Sequence, residues 1–284
     1  FFFKQKTAYE ISTRDWSSDV CSSDLNLTAG QSAFASSGTH SFTQALVTHA
    51  TLGISNGGLS VSTMTLNHGN AQLMATPNTI SIDSLKAVLA NTLQLAPQTS
   101  GNYTLISITN APVSVSGAGS FNVANKLLLN NNANASLDLG GGVATLDSLV
   151  AFNGSIVHSA SNLNVNKLRL DGGNAYSSTG AGTSNVGDIW VFDATVNCSN
   201  GSFVFSDSLV TNHSNASVSF NGTSGVSINS VVAVSGIGGS IQISGSGANT
   251  VLKSDIGKGT LTFGSAVTAH TLTTSHAKIG RAHV

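Results

Sequence analysis

The chain has 284 residues, of which 40% are hydrophobic and only 8% charged, and its formal net charge is −1 at pH 7. A near-neutral balance without a basic stripe excludes the electrostatic footprint of a nucleic-acid binder, and no run of about 18 apolar residues supplies a membrane-spanning helix. Glu10 is the only glutamate in the chain; helices draw on Glu, Lys and Arg at their surfaces, so a chain rich instead in Ser, Thr, Asn, Gly and Val reads as strands and turns.

The first segment, FFFKQKTAYEISTRDWSSDVCSSDL (1–25), differs in composition from the rest of the chain. It carries seven of the 23 charged residues and the closing 278–284 carries two, which leaves 14 for the 252 residues between. Charges run through its whole length, so it lacks the apolar stretch of a secretory signal. It is similar to the translated read-through of a sequencing-library adapter, and KIGRAHV (278–284) resembles the same kind of artefact. Both segments are therefore expected to be non-native, the first disordered or irregular, and Tyr9, Trp16 and Cys21 leave the functional argument with it. The folded unit is expected to span 26–277, with eight acidic and six basic residues. Its single cysteine, Cys198, alternates with Val196 and reads as a small buried hydrophobe, so no internal disulfide staples the fold.

Beyond residue 40, short alternating apolar pieces separated by Gly, Asn and Ser turns recur with a fixed spacing. One column runs Met64, Leu85, Ile106, Leu127, Leu149, Leu168, Ile189, Leu209, Val232, Leu252, Leu272, ten steps over 208 residues, or 20.8 per step. A second column follows it (Leu137, Ile156, Tyr176, Val196, Val218, Ile241, Leu261) and a third leads it (Phe121, Leu163, Phe203, Val226). Literal echoes support the register: DSLV stands at 147–150 and 207–210, and NKLLL (125–129) is matched by NKLRL (166–170). A period near 20 with about three short strands per unit and no helical phase fits one turn of a solenoid. The expected fold is all-β, a single-stranded parallel β-helix (β-solenoid) of about 20–21 residues per coil and roughly 11–12 coils. Like residues then stack about 4.8 Å apart, which makes the first column a rod roughly 50 Å long. Pro77, Pro97 and Pro112 all lie in the first third; a proline inside a ladder forfeits a hydrogen bond, so 87–116 is expected to hold a loop or bulge.

Units such as GSFVFSDSLVTNHSNASVSF and GVSINSVVAVSGIGGSIQISG, with the period and the Glu- and Cys-poor composition, resemble the passenger regions of Gram-negative autotransporters and filamentous-haemagglutinin-like exoproteins. The likeness covers most of 40–275 and rests on pattern. It implies a β-helix exported to the cell surface or medium, often an adhesin, whose parent protein carries an outer-membrane translocator and whose partner is a glycan or protein on a host or neighbouring cell.

Chemistry is sparse along the same stretch. Asp83, Asp147 and Asp207 each precede a column residue as Asp-Ser-Leu, three coils or roughly 14 Å apart, too far for paired carboxylate catalysis; they read as caps on corner turns. Asp188 and Asp193 flank one strand and Asp207 lies on the next coil, a small acidic spot. His40, His49, His68, His158, His213, His270 and His276 show no metal-ligand spacing and read as surface or corner residues, so no metal or cofactor is expected. Trp190, in DIWVF between inward Ile189 and Val191, alternates outward and is the candidate surface contact, with Arg169 one coil away at the same column position and Tyr176 nearby; the alternative is a stacked Arg169–Trp190 cation–π pair with a purely structural role. The expected function is structural and adhesive, without catalysis. The alternative is a polysaccharide lyase or hydrolase on the same fold.

Overall fold

The computed structural model describes residues 23–280 apart from 36, 131, 160–161, 174, 234–238, 265 and 275–277. The expected disorder of residues 1–22 and the tail 281–284 lie outside the described residues, as does the side chain of His270.

Two parallel sheets of thirteen strands each make up the rod, and successive strands in either sheet are separated in sequence by one strand of the other. Each coil contributes a long strand and a short one: Val143–Ala151 is followed by Ser155–His158, and the chain returns as Asn162–Leu170 hydrogen-bonded beside Val143–Ala151. This is the expected single-stranded parallel β-solenoid, and no helix occurs among the described residues.

The pattern within a long strand explains why two strands stand where three were expected. In Val143–Ala151 the buried residues are Ala144 and Leu146, then Leu149 and Ala151. Period-two alternation slips by one residue between the pairs, so Asp147 and Ser148 both face outward and the strand turns a corner, its ladder skipping Asp147 and resuming at Ser148 on both sides. The short strand adds a third inward pair, Ile156 and His158. Three apolar walls thus enclose one core, and two of them share a strand. Asp147 sits at the bend and its Oδ1 accepts a hydrogen bond from Asn166 Nδ2 of the next coil at 2.9 Å, tying neighbouring coils together in place of capping its own turn.

Main-chain bonding continues through the corners that end the long strands. Phe152, Asp171, Phe192 and Asn212 each donate their amide to a carbonyl of the preceding coil, at 2.9–3.1 Å. Each coil therefore completes the backbone bonding of its neighbour, and coil stability is chiefly an interface property. The ladder reaches into the adapter-like segments: Ser23–Leu27 pairs with Thr39–Val47, and Lys278–Gly280 pairs with Thr260–Phe263. A parallel ladder engages backbone groups that every residue except proline carries. The prolines respect this, with Pro112 opening the strand Pro112–Val115 and Pro77 and Pro97 just beyond short strands. In the expected irregular stretch, Leu66 pairs with Ala87 but Asn67 with Leu89, leaving Val88 as a one-residue bulge.

The three columns stack in the expected register, with one correction. Leu209 faces Val231, not Val232, and the next member is Ser254, not Leu252. In Ala248–Ile256, Val251 and Ile256 are inward, and the corner slip between them turns Leu252 and Lys253 outward, leaving Leu252 41% exposed. Ser254 takes the core position, buried and with no partner for its hydroxyl. An orphaned buried hydroxyl costs about 1–3 kcal/mol. Ser254→Ala is therefore expected to raise stability by about 1 kcal/mol, read as a higher urea midpoint at unchanged slope; a lower midpoint contradicts it.

Candidate binding site

The outer face of the long sheet, where Val143–Ala151, Asn162–Leu170, Thr183–Val191 and Ser202–Thr211 run side by side, carries the chemistry. Ladder register puts Val150, Arg169, Trp190 and Val210 in one outward column on four successive coils. Trp190 lies between buried Ile189 and Val191 and is 42% exposed, as alternation requires. Val210, its partner on the next coil, is only 5% exposed despite its outward position.

Arg169 does not stack on Trp190. Its guanidinium carbon lies 4.8 Å from the Phe192 ring centre and 5.6 Å from that of Phe152, and its Nη2 is 3.3 Å from Asp171 Oδ2. The corner residues that follow each long strand form a column of their own, Phe152, Asp171, Phe192. The two phenyl rings stand two coils apart, roughly 9.6 Å, and the guanidinium fills the gap while pairing with the carboxylate on its own coil. Trp190 stacks instead on Phe192, with ring centres 6.2 Å apart and planes 22° from parallel. Phe152 and Phe192 are the residues that sequence reasoning missed, although both stand three places after a column residue, Leu149 or Ile189.

Tyr176 is corrected from surface contact to core. It sits between Ile156 and Val196 in the short-strand ladder and is 3% exposed, so its placement in the second apolar column is the one that holds. Burial and the nearby Cys198 raise its phenol pKa well above the ordinary value, with a hydrogen bond to Ser178 acting in the opposite direction.

At the bend beside this patch, Lys167 and Asp188 are ladder partners on adjacent coils. One depression of about 430 Å³ is lined by Ser148, Lys167, Arg169, Asp188, Trp190 and Phe192. A second, of about 450 Å³, shares Lys167 and Asp188 and extends past Gly187 to Val204 and Asp207. Gly187 lets neighbouring coils approach closely here: a Cβ there would lie 2.3 Å from the Asn166 carbonyl oxygen. Asp188 Oδ1 accepts a hydrogen bond from Ser208 Oγ at 2.7 Å, and Lys167 makes no ion pair among the described residues. Of the acidic spot, Asp188 and Asp207 share a depression, whereas Asp193 belongs to the next corner, 3.5 Å from His213 and 3.0 Å from Asn215.

The histidines divide in a way alternation predicts but their treatment as surface residues did not. His49 and His68 stack with ring centres 3.4 Å apart. His158 is inward, above Leu139 and below Ser178 in the ladder, 1% exposed, with Nδ1 3.1 Å from Ser178 Oγ and Nε2 without a partner. Burial pulls its pKa from 6.5 to about 4. Cys198, next in the same column, is buried and free, and burial raises its thiol pKa. No group of three or more His, Cys, Asp or Glu suited to a metal occurs among the described residues. Neither the protein-family models, the curated proteins nor the solved structures contain a match to this chain, so function is read from its own geometry.

Proposed function

We propose that the chain is the adhesive rod of a bacterial surface or secreted protein of the autotransporter or filamentous-haemagglutinin type, displayed outside the Gram-negative outer membrane and exported through a translocator of its parent. It acts by contact, without catalysis, on a glycan or protein of a host or neighbouring cell. The observation that carries this reading is the patch of Phe152, Arg169, Trp190 and half-buried Phe192, aromatic and cationic groups brought together on the outer face of the long sheet by the ladder. Such groups dominate contact surfaces because they bury much area with little loss of side-chain freedom.

Trp190 projects from the sheet, so Trp190→Ala is expected to leave the melting transition in place and to lower adhesion to cultured epithelial cells at least tenfold, the loss typical of a central aromatic anchor. Unfolding on substitution would place the ring in the core instead. The enzymatic reading is favoured by one observation, Asp188 and Asp207 on adjacent coils around one depression with Lys167, a spacing of the order of the roughly 5–10 Å that paired carboxylates need. Release of reducing sugar from a polysaccharide panel, abolished by Asp207→Asn, would establish that reading and displace the adhesive one.

A further inference from the structure

We infer that the ligand of this face is a neutral oligosaccharide lying across the bend of the long sheet, with one sugar ring on Trp190 and its hydroxyls on Lys167 and Asp188. The inference rests on the adhesive reading and specifies its receptor. A hexopyranose has an apolar C–H face and a rim of hydroxyls, each both donor and acceptor. The first depression offers both complements: the exposed indole of Trp190, propped by Phe192, is an apolar wall, and Lys167 and Asp188 stand side by side at its edge. An ammonium donates only and a carboxylate accepts only, so an adjacent pair suits two neighbouring hydroxyls, one accepting from Lys167 and one donating to Asp188. Asp188 is already oriented by Ser208, with Oδ2 left unpartnered among the described residues.

Charge selects against acidic sugars. Arg169 is neutralised by Asp171 and held between two phenyl rings, which leaves Lys167 balanced by Asp188 in the first depression and outweighed once Asp207 joins in the second. The depressions adjoin through Lys167 and Asp188, so a chain of sugars seated on Trp190 continues towards Asp207. Pockets of this kind, one apolar wall with a few convergent polar groups, are the usual form of small-ligand sites.

The test titrates the full chain, carrying Trp16→Phe so that Trp190 is its only tryptophan, with cellotetraose, mannotetraose and β-1,4-galactotetraose, following indole fluorescence. At least one is expected to give a saturable change, weakened tenfold or more by Asp188→Asn and by Lys167→Ala at unchanged melting temperature, with tetragalacturonate binding at least tenfold more weakly. No saturable change with any of the three, tighter binding of tetragalacturonate, or indifference to Asp188→Asn would overturn the inference. Adhesion to epithelial monolayers before and after periodate, which cleaves vicinal diols, separates the two levels. Adhesion that survives periodate but is lost in Trp190→Ala overturns the sugar and leaves the adhesive rod standing. Absence of adhesion in the unsubstituted chain overturns the adhesive reading itself.

Discussion

Leu149→Ala is expected to cost about 2–5 kcal/mol, the range for truncating a fully buried leucine where the surroundings collapse incompletely. Leu149 is completely buried between Leu127 and Leu168 in the central column, and its coil is bonded on both sides. Neighbours cannot move in to fill the void without breaking register with the coils beyond them. In a quasi-one-dimensional array a weak central unit also uncouples its flanks, so urea unfolding is expected to broaden into two steps, with amide exchange accelerating first around 143–151. Leu46→Ala, at a partly exposed outward position near one end, is the control and should shift stability by no more than about 0.5 kcal/mol. A loss below about 1 kcal/mol for Leu149→Ala would show that the coils are not packed as a continuous core.

Acid is expected to loosen the same region through His158. In the folded rod the imidazole stays neutral down to pH about 4, because burial opposes its charge; in the unfolded chain it titrates near 6.5. Between these values the unfolded state binds the proton that the folded state refuses, so stability is fully present above pH 6.5 and falls as pH drops towards 4. The loss amounts to about 3 kcal/mol at most. Every side chain stacked near His158 in the core, Leu139, Tyr176, Ser178 and Cys198, is uncharged across this window and offers no counter-ion. His40, whose pKa burial also lowers, adds in the same sense. His158→Leu places in this column the residue that Leu139 already supplies one coil earlier; it is expected to flatten the dependence of urea midpoints measured at pH 7, 5.5 and 4.5. It also removes the imidazole contact of the Ser178 hydroxyl, which keeps its hydrogen bond to Tyr176, a change that does not vary with pH. An unchanged slope in the variant would assign the acid sensitivity to other groups.

Much of the fold was legible because a solenoid writes its tertiary contacts as sequence period. Leu127, Leu149 and Leu168 recur near every 21 residues since each must lie over its counterpart one turn below. The same logic placed Trp190 outward from its two neighbours alone. It failed where the phase of alternation slips at the bend: Leu252 is as apolar as any column member, yet the corner falls between Val251 and Ser254 and turns it to solvent. His158 occupies in SIVH the slot that Leu139 occupies in SLDL, a parallel its polar identity concealed.

Period and alternation thus specified the coil, its apolar walls and the outward tryptophan, because those depend on spacing along the chain and on a hydrogen-bond ladder that repeats the same step from coil to coil. The meeting of Arg169 with Phe152, Asp171 and Phe192, and of Lys167 with Asp188 and Asp207, was decided only when consecutive coils stacked. Those contacts depend on how far each corner turns and where the backbone of one coil, bare at Gly187, lies against the next, distances that separation along the chain does not encode.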